Sequence, residues 1–271
     1  MIEDIVKITV MTIPIYQADA FTDQLFGGNP AAICPLTEWL PDAIMQKIAA
    51  ENNLAETAYF VKEGDGYGLR WFTPELEIDL CGHATLASAH ILFTELGYTG
   101  NAINFYTQKA GTLIVTRSGD KYTLDFPSRP PKPVVAPQEL LIALGGKTPV
   151  EILKSRDYFV VYETEQDIRD MAPDFNLLAR VDAIGIIVTA VGDEADFVSR
   201  FFAPAAGINE DPVTGSAHSI LVPYWAKELN KPTLKAIQLS KRRGHLDCEF
   251  KDNRVLMNGN AVTYLKGEYI I

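Results

Sequence analysis

Three segments of this 271-residue chain hold side chains whose types and spacing could do chemistry. Glu56 lies in Asn53-Leu-Ala-Glu-Thr57, among apolar and small residues at the start of an apolar run. Burial there would raise a carboxyl pKa toward neutrality and suit the group to take and return a proton. His83 lies in Asp79-Leu-Cys-Gly-His-Ala-Thr-Leu86, and Asp211 and Ser216 lie in Asp211-Pro-Val-Thr-Gly-Ser-Ala-His218. The last two segments each contain a Gly-x-Ala: Gly82-His83-Ala84 and Gly215-Ser216-Ala217. Each stands before a long apolar stretch. A helix beginning there would present unpaired N–H groups and the positive end of its dipole. Glycine would let a ligand approach that backbone, so the pair of turns is expected to hold a carboxylate or a developing enolate between them. Asp211 could meet a substrate amine or assist proton transfer; a turn or cap aspartate is the plainer use of Asp before a helix.

Other reactive types carry less. Cys81 precedes Gly82, but the matching position before Gly215 is Thr214. A hydroxyl is a poor counterpart to a thiol, so a two-thiol mechanism is not expected, and Cys81 reads as a small buried residue. Cys81, His83 and His90 match no familiar zinc spacing, and no metal site is expected. No dinucleotide or phosphate-loop glycine pattern occurs, so no organic cofactor is implied. His90 and His245 read as structural or exposed, and His218 as a packed helix histidine.

The elements that must position these groups repeat along the chain. Arg70-Trp-Phe-Thr-Pro74 resembles Arg200-Phe-Phe-Ala-Pro204. One offset of 133 residues relates Gly82 to Gly215 and Gly111-Thr-Leu113 to Gly244-His-Leu246. Such a period is too long for a solenoid repeat and points to duplication of one lobe. Within each half, short buried strands (58–61 and 69–72; 184–188 and 196–202) precede a helix (84–96; 217–229) that is apolar around most of its circumference and so must be buried on most sides. Hairpins follow at 112–126 and 246–258. A helix over 42–52 with Pro41 at its first turn lies outside this core, and the proline-dense 126–133 is the one clear linker. The expected fold is α+β: two pseudo-symmetric lobes, 1–127 and 128–271, each a mostly antiparallel sheet wrapped around a central buried helix.

Composition narrows the function classes. A net charge of −11 opposes binding to phosphate backbones, so no nucleic-acid partner is expected. The acidic start Met1-Ile-Glu-Asp lacks a signal-peptide core, and the most apolar run, 183–191, is too short to span a bilayer. Three scattered cysteines suggest no disulfide framework. The expectation is a cytoplasmic protein with no membrane partner.

Taken together, Asp19-Ala-Phe-Thr, Phe26-Gly-Gly-Asn-Pro30, Asn53-Leu-Ala-Glu56-Thr, the segment around Gly82-His83 and the run from Phe202 to His218 resemble the PhzF family, in the family's order and over nearly the whole chain. The resemblance implies the diaminopimelate-epimerase-like fold, in which the last strand can return to the first lobe. It implies Glu56 as acid/base, with His83 and Asp211 as catalytic partners. Asn29, Gly82, Ala84, Gly215, Ser216 and Ala217 are then expected around the substrate. The founding enzyme of the family isomerises a dihydro-hydroxyanthranilate. The expectation is therefore a homodimeric isomerase that moves a proton on a small carboxylated molecule without a cofactor. A dehydratase, or a silent binding protein that keeps the cleft, is the alternative.

Overall fold

Two helices that carry no Asp, Glu, Lys or Arg until the very end of the second organise the chain. The computed structural model describes residues 11–271; the acidic Met1-Ile-Glu-Asp start lies outside them. The first core helix runs Gly82–Thr94 and the second Gly215–Glu228. Every residue of the first from Gly82 to Phe93 is buried. Each helix begins two residues earlier than its apolar composition suggests, so the glycine is itself the first helical residue.

The strands around the two helices follow one plan twice. In the first lobe Asn29–Leu36 pairs in parallel with Glu56–Glu63, which pairs antiparallel with Gly66–Phe72. That strand runs parallel to Ala102–Tyr106, after which Thr112–Ser118 and Lys121–Pro127 add antiparallel. In the second lobe Tyr158–Val161, Ile186–Val191, Phe197–Ala203, Thr233–Gln238, Gly244–Lys251 and Arg254–Gly259 repeat that sequence of parallel and antiparallel neighbours. The sheets are thus antiparallel in the majority, with two parallel pairs per lobe. A parallel pair needs a long crossover, and in each lobe the core helix supplies one of the two.

The lobes are joined by strand exchange. Arg254–Gly259 pairs with Lys121–Pro127 across the lobe boundary. The final strand, Ala261–Ile270, pairs with Thr12–Ala20 of the first lobe. Part of the proline-rich connection does the converse, because Lys132–Pro133 pairs with Lys154 and Leu153 of the second lobe. One continuous apolar core therefore contains both helices, and two smaller cores lie outside it. The helix Asp42–Asn52 packs over one of these through Met45, Ile48 and Ala49, with Pro41 as its N-cap and not within its first turn.

The repeated arginines brace the approach to each core helix. Arg70 holds Glu77 through Nε and Nη2, both at 2.7 Å. Arg200 holds Glu210 the same way, at 2.7 and 3.0 Å. Both are fork-to-fork pairs, the strong geometry for arginine and carboxylate. At the centre the helix ends meet through their glycines: a Cβ added to Gly82 would lie 3.1 Å from the Cα of Gly215. Space there is too tight for a side chain and the neighbour is backbone. Gly82→Ala is therefore expected to destabilise the protein by about 1–3 kcal/mol, the usual range for overpacking; the urea midpoint is the measurement. An exposed glycine such as Gly119, which has open space around it, is not a control, because its φ of 62° favours glycine; Ala179→Gly, at the end of a short helix, serves better.

Candidate active site

Glu56 is the first residue of the strand Glu56–Glu63 and is 7% exposed. The parallel register sets it beside Ala31, two residues beyond Asn29. His83 is the second residue of the first core helix and is buried. Its Nε2 lies 3.1 Å from Glu56 Oε2, an ion-pair distance at which neither atom has a well-aligned hydrogen bond. The other imidazole nitrogen, Nδ1, lies 3.0 Å from Asn29 Nδ2 and 3.5 Å from Cys81 Sγ.

Asn29 carries the connection to the second lobe. Its Nδ2 donates to Asp211 Oδ1 at 2.6 Å and to the Val213 carbonyl at 2.9 Å. The amide nitrogen thus has two hydrogens and three acceptors. When His83 becomes imidazolium its Nδ1 turns from acceptor to donor, and Asn29 can then serve both second-lobe oxygens. Asp211 Oδ2 accepts from Thr214 Oγ1 at 2.6 Å. Buried Gln238 fixes this turn, accepting from the Thr214 N–H at 2.8 Å and donating to the Asp211 carbonyl at 2.7 Å.

Burial and charge tune these groups in different directions. Burial pulls the His83 imidazole down, but Cys81 and Glu56 beside it outweigh that and hold its pKa well above the ordinary value. Burial pushes the Asp211 carboxyl up to about 6, against the pull of His83 and with a smaller push from Glu56. The Cys81 thiol is raised to about 11, first by burial and then by Glu56, so it is a thiol and not a thiolate near neutral pH. Glu56, Cys81 and His83 bring donor atoms within 4.8 Å of one another. His90, the third member of the sequence-based metal set, is not among them and is engaged elsewhere by Tyr122 and Thr263, both at 2.9 Å.

The remaining expected residues divide. Gly82 and Gly215 fill the position directly between the helix ends with their own contact, so the anion expected there has no room between the glycines themselves. Ala84 and Ala217 are buried inside the helices, which leaves them only a backbone role. Ser216 accepts a hydrogen bond from Arg156 Nη2 at 3.1 Å and is not part of the Glu56–His83–Asn29–Asp211 chain. His218 donates from Nδ1 to the Thr214 carbonyl at 2.8 Å, and burial lowers its pKa to about 4. The same offset of 133 places Thr85 at the equivalent point of the first helix, and Thr85 bonds the Cys81 carbonyl at 2.5 Å. The two residues do one structural job. An open cleft of about 410 Å³ reaches this region, lined by Asn29, Asn53, Leu54, Ala55, Ala206 and Pro212 among others.

A family model described as phenazine biosynthesis-like protein, PhzC-PhzF, matches residues 18–267. The chain belongs to that family. It is 49% identical over 257 residues to an uncharacterized isomerase of Pseudomonas aeruginosa, covering 95% of this chain and 98% of the relative. A crystal structure of a PhzF-family protein from Enterococcus faecalis superposes with a TM-score of 0.92 at 50% identity, covering 96% of this chain and all of the other. A probable proline racemase from Agrobacterium radiobacter shares the two-lobed fold with a TM-score of 0.64 at 8% identity. As an enzyme the chain is an isomerase of the PhzF type.

The duplicated PhzF fold shows where this site breaks its symmetry. Ala58 pairs with Trp71 of the first Arg-aromatic-Phe, and Ile187 pairs with Phe201 of the second. Two residues earlier on each strand, Glu56 therefore corresponds to Gly185. A Cβ on Gly185 would collide with the Phe201 ring and come within 3.1 Å of Asp157 Oδ1. The second lobe thus has no counterpart of Glu56. Sequence reading missed Gln238, Arg156 and Asp157: none sits in a repeated motif, and only the fold brings them to the helix ends.

Two expectations follow. Cys81, with a pKa near 11, should resist iodoacetamide near neutral pH in the native enzyme, and Cys81→Ala should keep most of its turnover; rapid alkylation with loss of activity would make the thiol part of the chemistry. The second concerns stability. Folding raises the Asp211 pKa, so the folded chain holds that proton more tightly than the unfolded one. The stability this contributes is full below about pH 4, the ordinary carboxyl value, and is lost as pH rises through about 6. Asp211→Asn should flatten that part of the curve of urea midpoint against pH.

Proposed function

We propose that this isomerase moves a proton on a small carboxylated substrate, with Glu56 as its single acid/base. The observation that carries the reading is the asymmetry at the pseudo-twofold axis: a buried carboxylate, with Oε2 3.1 Å from His83 Nε2, opposite a lobe that has Gly185 in the equivalent place. Two-base racemisation needs an acid on the far face of the substrate carbon. A single base instead takes a proton and returns it to the same face.

Starting from the Glu56 carboxylate, the C–H bond breaks, the proton goes to Glu56, and the electron pair delocalises toward the substrate carboxylate. His83, whose pKa Cys81 and Glu56 beside it hold well above the ordinary value, offers a hydrogen bond to the substrate as the negative charge develops. Where the substrate carries a conjugated C=C bond, Glu56 then returns the proton to a carbon at the far end of that system, so that one C–H bond is broken, one is formed and the double bond shifts. No atom is gained or lost, and both enzyme groups end as they began. Asn29 lies between the His83 ring and Asp211 of the second lobe.

Glu56→Gln keeps the shape and a hydrogen-bonding head but cannot titrate. Turnover, or exchange of substrate protons in deuterated water, should fall ~10²–10⁴-fold, while the affinity for a substrate analogue changes far less. Full exchange activity in Glu56→Gln would remove this reading.

A further inference from the structure

The second helix end holds a cation that the proton-transfer site does not use. Arg156 precedes the strand Tyr158–Val161, and its side chain is about one-third exposed while its partner Asp157 is completely buried. The guanidinium spends one edge on that carboxylate: Nε reaches both oxygens at 3.1 Å and Nη2 reaches Oδ2 at 2.8 Å. The second hydrogen of Nη2 is directed to Ser216 Oγ at 3.1 Å. Among the described residues no acceptor meets Nη1. A buried anion thus fixes the fork, and Nη1 is left without an acceptor beside the Ser216 hydroxyl, whose oxygen accepts from Nη2 and whose own hydrogen can still donate, at the start of the second core helix.

Pseudo-symmetry gives the placement its meaning. Ser216 is the counterpart of His83, and each is the second residue of its helix. In the first lobe His83 meets the carboxylate Glu56. In the second lobe Ser216 meets the guanidinium of Arg156, and Gly185, which replaces Glu56, leaves the room that the buried Asp157 carboxylate occupies. Each lobe thus sets a charged pair beside the second residue of its core helix: Glu56 with His83 in the first, Arg156 with Asp157 at Ser216 in the second. Arg156 and Lys154 also line an open depression of about 470 Å³, with Asp182 as its one acid. Ala206 lines both this depression and the cleft that reaches Asn29, so the two spaces are neighbours across the short turn Pro204–Ala206.

We infer that Arg156, together with Ser216, receives the substrate's carboxylate, while Glu56 faces the carbon that loses its proton; the inference rests on the proton-transfer reading of the site. A carboxylate can accept from the free Nη1 with one oxygen and from the Ser216 hydroxyl with the other, a fixed pair of donors that a lysine at this position would not reproduce. An arginine already oriented by Asp157 loses little freedom on binding.

The probes are benzoate and its neutral isostere benzamide, titrated into isotope-labelled full chain by protein-observed NMR. Wild-type protein should prefer benzoate, and benzoate should shift the Arg156 guanidinium resonance. Arg156→Gln should lose at least ~10-fold in benzoate affinity, about the worth of one charge-assisted bond, with benzamide little changed. Because Arg156→Gln leaves the Asp157 charge buried and unpaired, the double variant Arg156→Gln/Asp157→Asn is measured beside it. Glu56→Gln should bind benzoate at least as well as wild type. No benzoate preference in wild type, no shift of the Arg156 resonance, or wild-type benzoate binding by a folded arginine variant would each overturn the inference. Loss of the acid/base reading would show elsewhere, as undiminished proton exchange in Glu56→Gln, with the benzoate result standing by itself.

Discussion

The contact between Gly82 and Gly215 sets the geometry on which everything else in the molecule depends. Two helix N-termini, each positive and each with unpaired N–H groups, would ordinarily be kept apart. Here they approach until a single Cβ would not fit without a shift. What offsets the repulsion lies around the contact. Asn29, from the first lobe, bonds Asp211 and the Val213 carbonyl of the second, and the two carboxyl groups Glu56 and Asp211 sit at the same junction. The strand exchange adds to this, because Arg254–Gly259 pairs with Lys121–Pro127 and Ala261–Ile270 returns to the first lobe. The lobes cannot separate without breaking a continuous ladder, so the glycine contact is held by the sheet and not by its own attraction.

Duplication supplies the frame, and divergence at a few matched positions supplies the chemistry. The structural tasks stay paired: Arg70–Glu77 with Arg200–Glu210, and Thr85 on the Cys81 carbonyl with His218 on the Thr214 carbonyl. The positions facing the axis do not. Glu56 corresponds to Gly185, His83 to Ser216, and Cys81 to Thr214. An acid/base reading of the first lobe and an anion-holding reading of the second both follow from that split, since one substrate cannot use the same group from both sides when only one proton moves.

Much of this was legible in the sequence, for identifiable reasons. The core helices announced themselves because a helix without charges over three turns has nowhere to go but the interior. The constant offset between glycines located the axis, and Glu56, His83, Asn29 and Asp211 stand in motifs long enough to recognise. Three things were not legible. The glycine contact leaves no room for a ligand at the very centre, which depends on a crossing distance that no local pattern encodes. Parallel pairs such as Asn29–Leu36 with Glu56–Glu63 arise from crossovers and leave no hairpin signal. Arg156–Asp157 is an adjacent pair of opposite charges, a pattern that sequence alone assigns to a solvated surface, and only the fold shows the aspartate fully buried.

The polar atoms left unpaired at the junction carry the last step. Asn29 Oδ1 is buried without a hydrogen bond, and Glu56 Oε2 and His83 Nε2, 3.1 Å apart, are joined only by a poorly aligned ion pair; a buried polar atom with no partner ordinarily costs about 1–3 kcal/mol. They lie on three separate elements that meet at the junction of the lobes, where Asn29 also lines the open cleft. A ligand that bonded Glu56 and His83 would relieve that cost on binding, with its partners already in place. On that argument the strand exchange and the buried Gln238 are what allow the site to exist, since they hold a locally unfavourable cluster in place until the substrate arrives.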